Sequence, residues 1–115
     1  MSPEPRRSPS HLLPYEVGRF VVQRGTLPYA FHLKLRREAL FTVGVLEKIA
    51  RIFSAMNVDI LQLKASAVGD IVRVIVFADL KGSEALAPRI RDELMKVEFA
   101  EEVVFHPSHR RGSRS

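Results

Sequence analysis

The sequence predicts an α+β protein with a ferredoxin-like βαββαβ fold, a four-stranded antiparallel sheet with two helices on one face. Between residues 29 and 106, four segments have the alternating or continuous apolar pattern of strands, and two have the 3.6-residue period of helices. The helical segments follow the first and third strand segments. Because each helix has a single apolar stripe, the two together can cover only one face of the sheet.

The first half of this pattern contains one strand and one helix. Residues 31–36 alternate strictly between apolar and polar side chains, as in a half-buried strand. Residues 45–57 then change to a helical period, and Thr42 is the expected N-cap. The apolar stripe of this helix is Leu46, Ile49, Ala50, Phe53 and Met56.

The second half contains a hairpin, a helix and a last strand. Residues 58–67 alternate, with Leu61 on the predicted buried side, and residues 71–78 are almost wholly apolar, as expected of a central strand. A helix is expected after Ser83, and Pro88 either marks its start or removes one early hydrogen bond. Its stripe is Leu86, Ile90, Leu94 and Val97, and residues 102–106 form the last strand. Strand-pairing rules place the first and third strands in the centre.

The two ends of the chain differ from the body. Residues 1–14 and 107–115 are rich in proline, serine and arginine without apolar periodicity, so both are expected to be disordered. The domain is therefore predicted over residues 15–106, with an extension at 15–28 and the core at 29–106. Within the extension, residues 18–25 form a possible extra strand, which could pair with the next strand as an added edge.

Charge and composition narrow the function classes. The net charge is +5, but residues 29–106 contain 11 basic and 11 acidic side chains, so the excess lies at the ends. There is no cysteine, no membrane-spanning apolar run and no secretory signal, and a cytoplasmic location follows. No catalytic, cofactor-binding or metal-binding motif occurs, so neither an enzyme nor a cofactor is expected. His106 and His109 are interpreted as solvated side chains.

Gly44 lies where the first strand gives way to the first helix, and two interpretations of it stay open. A helix start offers free backbone N–H groups and a partial positive charge, and a glycine lets a carboxylate approach them closely. Alternatively, the glycine supplies only a tight turn and close packing of the helix on the sheet.

This stretch resembles ACT domains, small ligand-binding modules attached to amino-acid metabolic enzymes. The segment Val43-Gly44-Val45-Leu46 matches the Gly-Val-Leu element that enters the first helix of that family. Residues 49–60, IARIFSAMNVDI, resemble its passage from helix to second strand, with Asp59-Ile60 in place of Asn-Ile. The resemblance covers residues 30–106, and it extends to the N-terminal domain of the regulatory small subunits of acetohydroxyacid synthase.

The resemblance implies a non-catalytic regulatory domain that binds an amino acid at the interface of a homodimer or higher homo-oligomer. An apolar amino acid is expected, because Phe41 and Val43 stand where the family often has an acidic residue and a proline. The regulated enzyme is expected to be a separate polypeptide. One half of the site is the turn into the first helix: Thr42, Val43, Gly44, Val45 and Leu46. The other half is contributed by a neighbouring subunit, from the end of its first helix and the start of its second strand: Asn57, Val58, Asp59 and Ile60.

A nucleic-acid-binding module is the alternative, carried mainly by the arginine-rich ends. The sheet face without helices is expected to be basic, but Phe77 is its one aromatic side chain suited to stacking. The third strand also lacks the glycine–aromatic signature of RNA-recognition modules, so nucleic acid is the less favoured partner.

Overall fold

The regular elements follow the predicted order, with one additional strand before them. The computed structural model describes residues 15–17, 25–42 and 44–108, so the expectations for residues 1–14 and 109–115 lie outside the described residues. Its elements are β1 (Tyr15–Val17), β2 (Pro28–Arg36), α1 (Val45–Ala55), β3 (Asp59–Val68), β4 (Ile71–Asp79), α2 (Ala87–Leu94) and β5 (Ala100–Pro107). Two short 3₁₀ segments, Arg37–Phe41 and Glu84–Leu86, precede α1 and α2.

The five strands form one antiparallel sheet in the order β1-β3-β4-β2-β5. The predicted central strands, β2 and β4, pair along their whole length, from Pro28 opposite Asp79 to Arg36 opposite Ile71. The α+β, ferredoxin-like arrangement is therefore confirmed. Neither α1, with 11 residues, nor α2, with 8, is long and apolar enough to cross a membrane.

The hydrophobic core lies between one face of the sheet and the two helices. On α1, Ile49 and Phe53 are fully buried, and the ring of Phe53 meets that of Phe31 edge to face with centroids 5.2 Å apart. The centre of the buried stripe includes Val45, whereas the predicted Leu46 is half-buried at its border. On α2, Ile90 and Leu94 are buried, as the 3.6-residue period predicted, and the predicted Val97 is buried just after the helix ends.

The additional strand lies in the predicted N-terminal extension, residues 15–28. Residues 18–24 of the predicted strand lie outside the described part of the chain, and the described strand β1 precedes them. β1 pairs with β3, with Tyr15 opposite Ala65 and Val17 opposite Leu63. The predicted pairing of residues 18–25 with the next strand falls mainly on residues outside the described part of the chain; within that part, β2 has β4 on one side and β5 on the other.

Three details of the predicted elements also change. The pairing of β3 with β4 shifts between Ile60 and Gln62, and this irregularity puts Ile60, instead of the predicted Leu61, in register with the buried Ala78. The α2 helix begins at Ala87, which places Pro88 in the first turn, where its missing N–H breaks no intrahelical bond. The last strand extends beyond the predicted 102–106 to residues 100–107.

Candidate ligand-binding site

The turn into α1 is built by a 3₁₀ segment and Gly44. Thr42 was the expected N-cap, but its hydroxyl donates to the carbonyl of Glu38 at 3.0 Å, and its N–H donates to the carbonyl of Ala39. The N-cap is Gly44, whose carbonyl accepts the first intrahelical bond, from the N–H of Lys48 at 2.9 Å. The expectation for Thr42 is therefore wrong, because its side chain closes the preceding turn.

The conformation of Gly44 explains why this position needs a glycine. Its φ of 94° and ψ of −5° lie in the left-handed region, which side chains with a Cβ rarely adopt. Apart from Gly44 itself and its two neighbours in the chain, no atom of the described residues lies within 4 Å of a Cβ built on Gly44. Close packing of helix on sheet is thus not the reason for the glycine. The backbone angle is one sufficient reason, and the open space leaves room for an approaching group.

The side chains of the two residues after Gly44 pack on the hydrophobic core, and their backbone N–H groups lie at the turn. Val45 is buried with 3% of its surface exposed, and Leu46 is half-buried against the core. Within the described part of the chain, no side chain caps the start of α1. The first N–H groups of a helix have no intrahelical acceptor, so those of Val45 and Leu46 remain available to a ligand. Val43, the fifth predicted residue of this turn, lies outside the described residues.

The turn out of α1 is closed by its own hydrogen bonds. Asn57 has a left-handed φ of 60°, and its N–H donates to the carbonyl of Ser54 at 3.0 Å. The N–H of Val58 donates to the carbonyl of Phe53 at 2.9 Å, and Val58 is buried. These two bonds form a Schellman motif, in which asparagine tolerates the left-handed position. Asn57 therefore ends the helix, which is a structural role.

Asp59 and Ile60 start β3 immediately after this turn. Asp59 is exposed, whereas Ile60 is partly buried and packs against the core. Together with Val58 they line one side of a shallow groove of about 430 Å³, and α1 lines the other side. The residues that α1 contributes are Glu47, Ala50, Arg51 and Ser54.

An ion pair on α1 lines the groove, and the sequence interpretation did not include its two residues in the site. Arg51 and Glu47 are joined at 2.8 Å across one turn of α1, and both side chains are more than two-thirds exposed. Their i, i+4 spacing on the polar face of the helix was the available signal. With the carboxylate of Asp59 opposite, the groove offers both signs of charge to a ligand.

The two predicted half-sites lie at opposite ends of α1. Eleven residues at 1.5 Å each make this helix about 16 Å long, so one amino acid cannot touch both ends. A site that uses both turns must therefore combine the Gly44 end of one copy with the Asn57 end of another.

The edge beside the second half-site is only partly covered. β1 pairs with Leu63–Ala65, and in the described ranges the preceding residues of β3 have β4 as their only neighbouring strand. Of these residues, Asp59 and Ile60 line the groove.

The sheet face without helices is basic, as expected. Lys34 and Arg73 lie opposite each other on β2 and β4, and Lys64 lies on β3. His32 is on the same face, and its pKa is lowered by burial first, and then by the charges of His106 and Arg73.

Comparison with known proteins supports the fold. No protein-family model matches this sequence, and no curated protein matches it. Among solved structures, the solution structure of the C-terminal domain of the MgtC protein from Mycobacterium tuberculosis superposes with a TM-score of 0.62. The identity is 19%, and the match covers 76% of this chain and 93% of that one.

A second structure carries the family name that the sequence suggested. The crystal structure of the ACT domain from the GTP pyrophosphokinase of Chlorobium tepidum superposes with a TM-score of 0.54 and 16% identity, over 70% of this chain and 99% of that one. Its solution NMR structure gives a TM-score of 0.53, again at 16% identity, over 69% of this chain and 84% of that one. The protein therefore has an ACT-domain fold, as predicted from the turn around Gly44.

Proposed function

We propose that this protein is a non-catalytic regulatory domain that binds an amino acid between two copies of the chain and thereby regulates a metabolic enzyme in the cytoplasm. The observation that carries the proposal is the combination of the ACT fold with an uncapped helix start at Gly44. A fold alone hosts many functions, so the proposal depends on this turn.

The Gly44 turn fits the α-carboxylate of an amino acid. Backbone N–H groups at a helix start donate to anions, and the helix dipole adds partial positive charge. The space at Gly44 is open, and its first-turn neighbours Val45 and Leu46 place N–H groups beside it while their side chains hold the helix to the core. Nothing in this turn selects a polar ligand side chain, which favours an apolar amino acid.

The groove between α1 and β3 of the second copy fits the other end of the ligand. A carboxylate forms a strong charge-assisted hydrogen bond with an ammonium group, and Asp59 supplies an exposed carboxylate at the start of β3. Glu47 adds a second carboxylate, although Arg51 already neutralises it in the single chain. We assign the ammonium group to Asp59 for this reason.

Calorimetric titration of valine, leucine and isoleucine into the protein tests the proposal. Asp59→Asn should weaken binding by roughly tenfold or more, because it removes a charge-assisted hydrogen bond. Asp70→Asn is the matched control, since Asp70 is another exposed aspartate, in the turn between β3 and β4. Equal affinities of both variants and the original protein would exclude Asp59 as the ammonium-binding group.

The oligomeric state is the second test. Light scattering after gel filtration should give twice 13.0 kDa, because the two half-sites are at opposite ends of α1. A monomer at micromolar concentration, in the presence of each amino acid, would contradict the shared site.

Nucleic acid is the second candidate ligand, favoured by the cluster of Lys34, Lys64 and Arg73 on the open face. Such binding would weaken steeply with salt, because each contacted phosphate releases counterions. A fluorescence-anisotropy titration with single-stranded RNA at several salt concentrations tests it. Tight binding with a steep salt slope that survives removal of residues 1–14 and 109–115 would favour this candidate.

A further inference from the structure

Two histidines from different strands meet on the open face of the sheet. The Nε2 atoms of His32 on β2 and His106 on β5 are 3.0 Å apart. The ring centroids are 5.0 Å apart and the ring planes differ by 21°, so the rings meet through their Nε2 edges. From the sequence, His106 and His109 were interpreted as solvated side chains, whereas the structure brings His32 to His106.

The hydrogen bonds assign the proton positions of His106. Its Nδ1 lies 2.9 Å from the carbonyl oxygen of Pro107, which can only accept, so Nδ1–H donates to it. In the neutral ring, Nε2 then carries the lone pair and accepts a hydrogen bond from Nε2–H of His32. Metal-binding histidines commonly have their Nδ1–H fixed by a backbone carbonyl in this way, which leaves the lone pair of Nε2 to face the metal.

The strands hold the two rings in position. Ala30, two residues before His32, is opposite His106, and His32 itself is opposite Val104. His32 and His106 therefore lie diagonally across two neighbouring cross-strand pairs on one face of the sheet. The pairing of β2 with β5 holds the two backbones in this position. Val104 is 47% exposed and His106 is also exposed, so water and ions reach the pair from the solvent.

We propose that His32 and His106 bind one divalent ion of a late first-row transition metal, with zinc as the reference ion, through their Nε2 atoms. Two nitrogens bound at about 2.0–2.1 Å are roughly 2.9 Å apart at a right angle and roughly 3.3 Å apart in a tetrahedron. The observed 3.0 Å lies between these values. The ion replaces the proton between the rings, and His32 carries its N–H on Nδ1 instead of Nε2, so that both imidazole ligands stay neutral.

The rest of the coordination shell consists of water. Within the described residues, no third histidine, cysteine, aspartate or glutamate stands close enough to form a three-residue metal group. Imidazole ligands suit zinc, nickel and copper, whereas magnesium and calcium prefer oxygen. The two imidazole ligands thus favour zinc, nickel and copper over magnesium and calcium. The positive charge of Arg73, on the same face, disfavours every cation equally. This proposal is independent of the amino-acid site.

Zinc titration of the full chain, expressed without a histidine tag, tests the site. Calorimetry should give one zinc ion per chain, and magnesium should give no heat. His32→Gln and His106→Gln should each weaken zinc binding by roughly tenfold or more, as losing one of two ligands requires. His109→Gln is the control for removing a histidine near the same end of the chain, and it should retain the affinity.

A spectroscopic readout keeps the test independent of folding in the variants. In ¹H–¹⁵N spectra of the imidazole rings of the unchanged protein, zinc should shift the Nε2 resonances of His32 and His106 together. The proposal is overturned if zinc leaves both rings unshifted. It is also overturned if His109→Gln abolishes binding while His32→Gln and His106→Gln retain it.

Discussion

The two turns that bound α1 share a left-handed residue but differ in what they leave free. At the C-terminal turn, Asn57 lies at φ 60° and the N–H groups of Asn57 and Val58 are bound to carbonyls of the helix. At the N-terminal turn, Gly44 lies at φ 94°, no described side chain caps the helix, and the space beside the glycine is open. The difference teaches that a left-handed residue at a helix end is not itself a sign of binding.

The comparison divides the predicted site into two kinds of residue. Asn57 and Val58 end the helix and bury an apolar side chain, so their sequence pattern is explained by folding. Gly44 is explained by its backbone angle, but the free N–H groups after it are not used by the fold. We therefore expect substitutions at the Asn57 end to change stability, and those at Gly44 to change both stability and ligand binding.

The largest expected effect is at Phe53, the residue that anchors the closed turn. Its ring is fully buried against Phe31, and its carbonyl accepts the N–H of Val58. Phe53→Ala should lower the free energy of unfolding by about 3–5 kcal/mol through loss of burial and a cavity. Urea denaturation checks this. A loss below about 1 kcal/mol would mean that α1 is not packed on the sheet at this end.

A smaller effect is expected from the backbone of Gly44. Gly44→Ala places a Cβ in open space, so its cost is backbone strain alone, about 1–2 kcal/mol. Gly44→Asn should cost less, because asparagine tolerates the left-handed region. Urea denaturation gives the free energy of unfolding of both variants and so shows which substitution costs more. If alanine costs no more than asparagine, the positive φ is not what requires glycine here.

The smallest effect is expected at Asn57. Asn57→Gly should be neutral or stabilising by a few tenths of a kcal/mol, because glycine is the preferred residue at the left-handed position of a Schellman motif. Asn57→Ala should cost about 1 kcal/mol. The melting temperatures of the two variants, Asn57→Gly and Asn57→Ala, show which of them is the more stable. A large loss of ligand affinity in Asn57→Gly, with stability unchanged, would show that the side chain binds the ligand.

The periodicities predicted the fold well because they report burial directly. The strict alternation around Leu33 and the 3.6-residue period through Ile49 and Phe53 correspond to side chains that are buried. The almost continuous apolar run of residues 71–78 predicted a central strand, and β4 does lie between β3 and β2. The resemblance of residues 43–46 to the ACT family then agreed with the fold found by comparison.

The features that sequence reasoning missed depend on pairing between distant segments. The irregularity after Ile60 is visible only in the register of β3 against β4. The meeting of His32 with His106 requires β2 and β5 to be neighbours in a known register, over a separation of 74 residues. Thr42 was chosen as the N-cap from its residue type, but its hydroxyl had a closer acceptor in the preceding 3₁₀ segment.

The most direct test of the central claim is a thermal-shift panel of the twenty amino acids on three proteins. These are the unchanged chain, Gly44→Val, and Gly82→Val, which introduces the same side chain at another open glycine with positive φ. An apolar amino acid at 100 times its dissociation constant should stabilise the unchanged chain by about 2.7 kcal/mol, on the order of 10 °C.

The account predicts that Gly82→Val keeps this ligand-induced shift while Gly44→Val loses it, with both ligand-free melting temperatures lowered by comparable backbone strain. The ligand-free melts measure that strain separately. No shift with any amino acid on the unchanged chain, or an equal shift in both variants, would contradict the account and leave Gly44 as a turn residue only.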